Sequence, residues 1–181
     1  MSLIPDRGSG GSQPAPEGTH MCICIGVIDL GTQPSQWGPR RQVAISFELI
    51  DLGLSESRPF VISRVFTNSL HEKSSLRAIL ESWIGSQAIA REDFSLAEIV
   101  GKPAMITVIH RHRLNRTFSE IATVSAVPQG VTRSFTHRSR LITFDIDTDS
   151  IDKLEGMPRW LIERATGTTT TPSAPLEDLP F

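Results

Sequence analysis

Apolar and polar residues alternate along much of the first two thirds of the chain, and one stretch breaks that rhythm. Residues 20–30 are dense in β-formers and read as a long first strand. Gly26 interrupts it, so a bulge or sharp bend is expected there. In residues 41–50, Val43, Ile45, Phe47 and Leu49 alternate with Gln42, Ala44, Ser46 and Glu48, the mark of a second strand. Residues 59–68 form a third, with Phe60, Ile62, Arg64 and Phe66 on one face. The period then changes. Leu76, Ile79, Leu80 and Trp83 recur at helical spacing, Ser69 or Asn68 can cap the start, and Gly85 stops the helix. Residues 92–100 suggest a short second helical segment. Alternation returns in 102–111 and 117–127, a fourth and a fifth strand around a loop at 112–116. A further strand is expected within 141–146, and a short helix with Trp160, Leu161 and Ile162 at 157–165.

The order β-β-β-α-β-β, in short strands broken by glycine, predicts a mainly β fold: a five-stranded oligonucleotide/oligosaccharide-binding (OB) barrel with the helix plugging one end. A β-grasp or a small open α+β sheet shares part of this order. Residues 1–18, rich in Gly, Ser and Pro, read as a disordered arm. The barrel domain spans 19–150, the C-terminal helix lies within 151–166, and 167–181 is a flexible tail. No apolar run approaches the ~20 residues a bilayer requires, and the first residues lack the apolar core of a signal peptide. Cys22 and Cys24, two apart on a strand, point to one face and cannot easily bridge each other. They read as reduced core residues of a cytoplasmic protein.

The net charge is only −2, but its distribution is uneven. Between His110 and Arg140 the sole acid is Glu120, against Arg111, Arg113, Arg116, Arg133, Arg138 and Arg140. From Asp145 onward acids dominate. A basic middle and an acidic end suggest a polyanion-binding surface and a tail that recruits basic partners or competes for that surface. In a barrel of this type, ligands cross the face of strands two and three, between the loop after strand one and the strand-four/five hairpin. Those places hold Trp37, Arg40 and Arg41; Arg64 and Phe66; and His110, Arg111, His112, Arg113, Arg116 and Phe118. The following segment adds Arg133, Phe135, His137, Arg138 and Arg140. Guanidinium groups neutralise phosphates, and flat rings stack on unpaired bases at about 1–3 kcal/mol per base. Phe47, Phe60, Phe66 and Trp83 also fit a packed core, whereas Trp37 sits among polar residues with no apolar periodicity. His110 and His112 share a face, but their neighbours are arginines, which repel a cation, so no metal site and no cofactor is expected. No catalytic constellation is visible, and no enzyme is expected.

The chain closes on Glu177, Asp178, Leu179, Pro180 and Phe181, after a Thr/Pro-rich tether. Asp178-Leu179-Pro180-Phe181 resembles the C-terminal tip of bacterial single-stranded DNA-binding proteins. The segments at 27–33 and 67–74 are similar to small phage-encoded proteins found among replication and recombination genes. The resemblance implies a non-catalytic protein that coats single-stranded DNA during replication or recombination and docks partner proteins through its tip. Small barrels of this kind often assemble, so a homo-oligomer is among the expectations, and the sequence leaves the oligomeric state open. The acidic run before the tip is thinner than in those proteins, and the linker lacks their Gly/Gln richness. Two other readings compete. One is a protein-protein adaptor or recombination mediator on the same fold, and the other is a small metal-dependent nuclease using His110 and His112.

Overall fold

A computed structural model describes residues 14–52, 59–131 and 135–167. The chain is mainly β. Five strands, β1 (Gly18–Gln33), β2 (Arg40–Leu49), β3 (Val61–Thr67), β4 (Pro103–Arg113) and β5 (Arg116–Ser125), form one sheet in the order β3-β2-β1-β4-β5. These pairings are antiparallel. A short β6 (Ile142–Phe144) adds to β1 in parallel, alongside Gly26–Ile28. The register explains how one strand serves three partners. Residues 18–23 of β1 pair with β4, and β6 takes over that edge further along.

β1 changes register against β2 between Cys24 and Gly26 and again between Asp29 and Gly31. The bend expected at Gly26 is therefore present. A Cβ there would lie 3.0 Å from Ile28 Cδ1 and 3.6 Å from both the Ile142 carbonyl oxygen and Met157 Cε. The tight contact is with the Ile28 side chain of the same strand, while β6 lies at ordinary contact distance. At the second shift Gly31 takes a positive φ of 67°, and its N–H donates to Asp29 Oδ1.

Between β3 and β4 lie α1 (Ser75–Ile84), α2 (Ser86–Ile89) and a 3-10 turn at Leu96–Ile99. Leu76, Ile79, Leu80 and Trp83 are buried, as their spacing requires. Gly85 ends α1, as expected, but the cap is Ser74, whose side chain accepts from Arg77 N–H, and neither Ser69 nor Asn68. Ser69 instead accepts the Ser74 hydroxyl through its carbonyl, closing the turn before the helix. The expected second helical segment is the 3-10 turn, held by a Ser95–Glu98 capping box.

Inward-facing residues of all five strands and of α1 form one core, with Phe47 packed on Trp83. β3 and β5, at the two ends of the sheet path, lie in contact. Among the described residues no ladder joins them, so the sheet is not closed by backbone pairing as a barrel would be. The Arg64 side chain spans the gap: its Nη1 donates to the carbonyls of Ile121 and Ala122, at 3.0 and 3.4 Å. Cys22 and Cys24 are buried, unbridged thiols in the core.

A second core lies on the opposite face of β1–β3. Ile28, Leu30, Ala44 and Val65 pack there against Ile142, Phe144, Leu154, Met157, Leu161 and Ala165. The last of these lie on β6, a 3-10 turn at Ile151–Leu154, and α3 (Arg159–Thr166), apart from Met157, which lies between the turn and α3. Among the described residues no helix is long and apolar enough to cross a membrane.

Candidate nucleic-acid interface

The β4–β5 hairpin is joined by two residues only, Leu114 and Asn115, with φ of 44° and 61°. Positive φ at both central positions is the tight hairpin turn whose twist matches that of its strands. The loop expected at 112–116 is thus mostly strand. The register pairs Arg111 with Phe118 and Arg113 with Arg116. Directly paired residues share a face of the ladder. Arg111, Arg113, Arg116 and Phe118 therefore lie on one side of the hairpin, and His110, His112, Thr117 and Ser119 on the other.

The two sides are used differently. On the histidine side, the Ala15 carbonyl oxygen contacts His110 Nε2 at 2.8 Å and accepts the Ser119 hydroxyl at 2.8 Å. The Glu17 carboxylate accepts the His110 backbone N–H. His112 Nδ1 pairs with the Thr117 hydroxyl at 3.0 Å. The residues just before β1 thus strap this face. On the arginine side, Arg111 meets Glu120 at 3.1 Å, with its side chain still more than half exposed. Arg113 and Arg116 are exposed, and among the described residues neither has a carboxylate partner. Phe118 is half-buried beside them.

No family model and no curated protein matches the chain.

The other expected contacts are dispersed over the molecule. Trp37 is 63% exposed in the β1–β2 loop, where the Ser35 hydroxyl accepts the Trp37 N–H and donates to the Gly38 carbonyl. This loop and the hairpin tip lie beyond opposite ends of β1. Arg40 is exposed at the start of β2. Arg41 is engaged: it donates to both Asp29 oxygens and to Asp147 Oδ2, with Asp145 Oδ1 at 3.9 Å. The hydrogen bond it donates to Asp29, then that to Asp147, pushes its pKa further up. Asp29, Asp145 and Asp147 hold their oxygens within 4.8 Å of one another, beside a shallow cleft of ~270 Å³. The Arg41 guanidinium occupies their midst. Sequence reasoning missed this cluster, although the alternation of Asp145 and Asp147 was its signal.

Phe66 is a core residue, buried under the Arg64 guanidinium at 4.9 Å from its ring centre. Neither presents a free stacking surface. Arg138 and Arg140 are exposed, Phe135 is half-buried, and Arg140 Nη2 donates to the Lys153 carbonyl at 2.6 Å. Arg133 and the tip Glu177, Asp178, Leu179, Pro180 and Phe181 lie outside the described residues.

The outward face of β2 and β3, opposite to the side on which Arg64 and Phe66 lie, is covered as well. Gln42, Ser46 and Glu48 are buried on it. Ser46 and Ser63 pair through their hydroxyls at 2.7 Å. Arg164 Nη2 donates to Gln42 Oε1 at 2.6 Å. The Glu48 carboxylate, 2% exposed, accepts the backbone N–H groups of Arg138 and Ser139 at 2.8 and 2.7 Å. The protein's own residues 138–165 cover this face.

Proposed function

We propose that this chain is a non-catalytic single-stranded DNA-binding protein of the OB type. The strand order, the helix between β3 and β4, and the approach of β3 to β5 support the OB reading. The observation that carries the function is the single-sided hairpin: Arg111, Arg113 and Arg116 beside Phe118, on the face the N-terminal strap leaves open. Cations at strand spacing next to a ring match a backbone of phosphates with unstacked bases between them. The contact lies within a nucleic-acid-binding unit at 19–150 on which the helix of 151–166 packs. The tip at 177–181 then docks replication or recombination proteins, as in the bacterial proteins it resembles.

The test is charge reversal of Arg111, Arg113 and Arg116 to Glu together, read by fluorescence anisotropy on labelled oligo-dT. The wild type binds and the variant loses binding. Equal affinity of the two chains rejects the assignment.

One observation favours a second reading, an adaptor that holds a protein rather than DNA: the covered outer face of β2 and β3. Under that reading the charge reversal leaves partner binding intact and oligo-dT is not bound by either chain. The nuclease reading has weaker support. His110 and His112 are each engaged locally, and among the described residues they join no group of three potential metal ligands.

A further inference from the structure

We infer that Leu114 is a wedge: at the tip of the β4–β5 hairpin it inserts against the last base pair where single-stranded DNA meets duplex, and unstacks it. The inference rests on the single-strand reading and goes beyond it, since coating a strand requires no wedge.

Three features converge on this residue. Leu114 is 98% exposed, the extreme among the large apolar side chains of the described chain. It also has a φ of 44°, a region a leucine enters at a cost and which Gly, Asn or Asp fills more readily in this turn. An apolar side chain is thus held at the most protruding point of a tight turn, where neither packing nor turn chemistry selects it. Thirdly, Arg113 and Arg116 face each other directly below it. Like charges opposite each other in a ladder repel, so the free hairpin carries strain that an anion bound on their common side would relieve.

The chemistry these groups would recognise is specific. Two guanidiniums paired on one face at the foot of an exposed aliphatic tip fit a base step and the phosphates beside it. Apolar side chains inserted between base steps unstack them at a cost that phosphate contacts offset. The two-residue turn is narrow, and Arg111 on the same side adds a third cation behind the tip. A hydrophobic pocket on a protein would take Leu114 as well, but it has no general use for the arginine pair. The cations therefore favour nucleic acid.

The experiment uses the full chain and a forked duplex with a fluorescent base analogue, whose emission rises on unstacking, at the first paired position. Oligo-dT binding is measured in parallel. The wild type is expected to raise the emission at the fork. Leu114→Asn, which suits the turn and preserves the fold, is expected to abolish that rise and leave oligo-dT affinity unchanged. Leu114→Met, which keeps an apolar tip, is expected to retain it. The wedge is overturned if the wild type binds oligo-dT and leaves the fork emission flat, or if Leu114→Asn opens the fork as well as the wild type. It is equally overturned if fork opening and oligo-dT affinity fall together in Leu114→Asn, because the leucine would then serve general binding. If the wild type binds neither DNA, the wedge and the single-strand reading both fall.

Discussion

At the scale of single residues, burial decides chemistry. Cys22 and Cys24 sit in the core, and desolvation pushes both thiols up, Cys24 to about 12 and Cys22 further still. For Cys22 the neighbouring Cys24 and Asp51 add to the rise. Both thiols should therefore resist alkylation in the native protein at mild alkaline pH and react promptly in denaturant, which mass spectrometry would read. Above the ordinary thiol value of 9.0, the unfolded chain releases protons that the folded chain keeps. The native state then binds more protons, so stability falls as pH rises from about 9 towards 12. Thermal melts across that range should show a decline that shrinks in a Cys22→Ala variant. Glu48 makes the complementary point. Its carboxylate satisfies two backbone donors, so Glu48→Ala strands the Arg138 and Ser139 amides. A loss of about 1–3 kcal/mol is expected, with faster hydrogen exchange at those two amides.

At the scale of elements, caps and covers matter more than intrinsic propensity. α3 is only eight residues long and would not persist alone. It is held because Leu161 and Ala165 are buried in the second core, where α3 lies against β1, while Arg164 reaches Gln42. Gly167, with a φ of 70°, ends it in the left-handed conformation that favours glycine. Leu161→Ala should therefore cost about 2–5 kcal/mol in a denaturation experiment. The same variant should leave oligo-dT affinity unchanged, because the proposed contact lies on the hairpin and not beneath α3. A rise in affinity would instead show that DNA competes with α3 for the β2–β3 face.

At the scale of the whole molecule, the net charge of −2 conceals a local field. Of the arginines expected to meet phosphate, Arg41 is neutralised by carboxylates and Arg64 is built into the β3–β5 seam. The compact cationic group that survives is Arg113 and Arg116, with Arg111 beside them paired to Glu120 but still more than half exposed. If these three supply most of the phosphate contacts, log affinity for oligo-dT should fall against log salt with a slope of about −2, from roughly −0.7 per neutralised phosphate on a single strand. A slope near zero would remove phosphate neutralisation from the account. A much steeper one would mean that Arg40, Arg138 and Arg140 also engage.

What the sequence by itself determined were the properties carried by local periodicity. The strands, the α1 stripe of Leu76, Ile79, Leu80 and Trp83, the stop at Gly85 and the bend at Gly26 all depend on residues a few positions apart. Alternation also placed Val43, Ile45 and Phe47 in the core correctly. It could not say what lies over the other face of the same strand. Gln42, Ser46 and Glu48 look solvated because they are polar, yet they are buried by segments far along the chain. The same holds for Arg41 and Arg64: a guanidinium looks equally available in sequence whether it faces water, three carboxylates or a pair of carbonyls. The sharing of one hairpin face by Arg111, Arg113, Arg116 and Phe118 depended on the two-residue turn and its register, and a shift by one residue would have divided them between two sides. Period is a local property of the chain, whereas exposure belongs to whatever packs against it, and only the tertiary structure decides that.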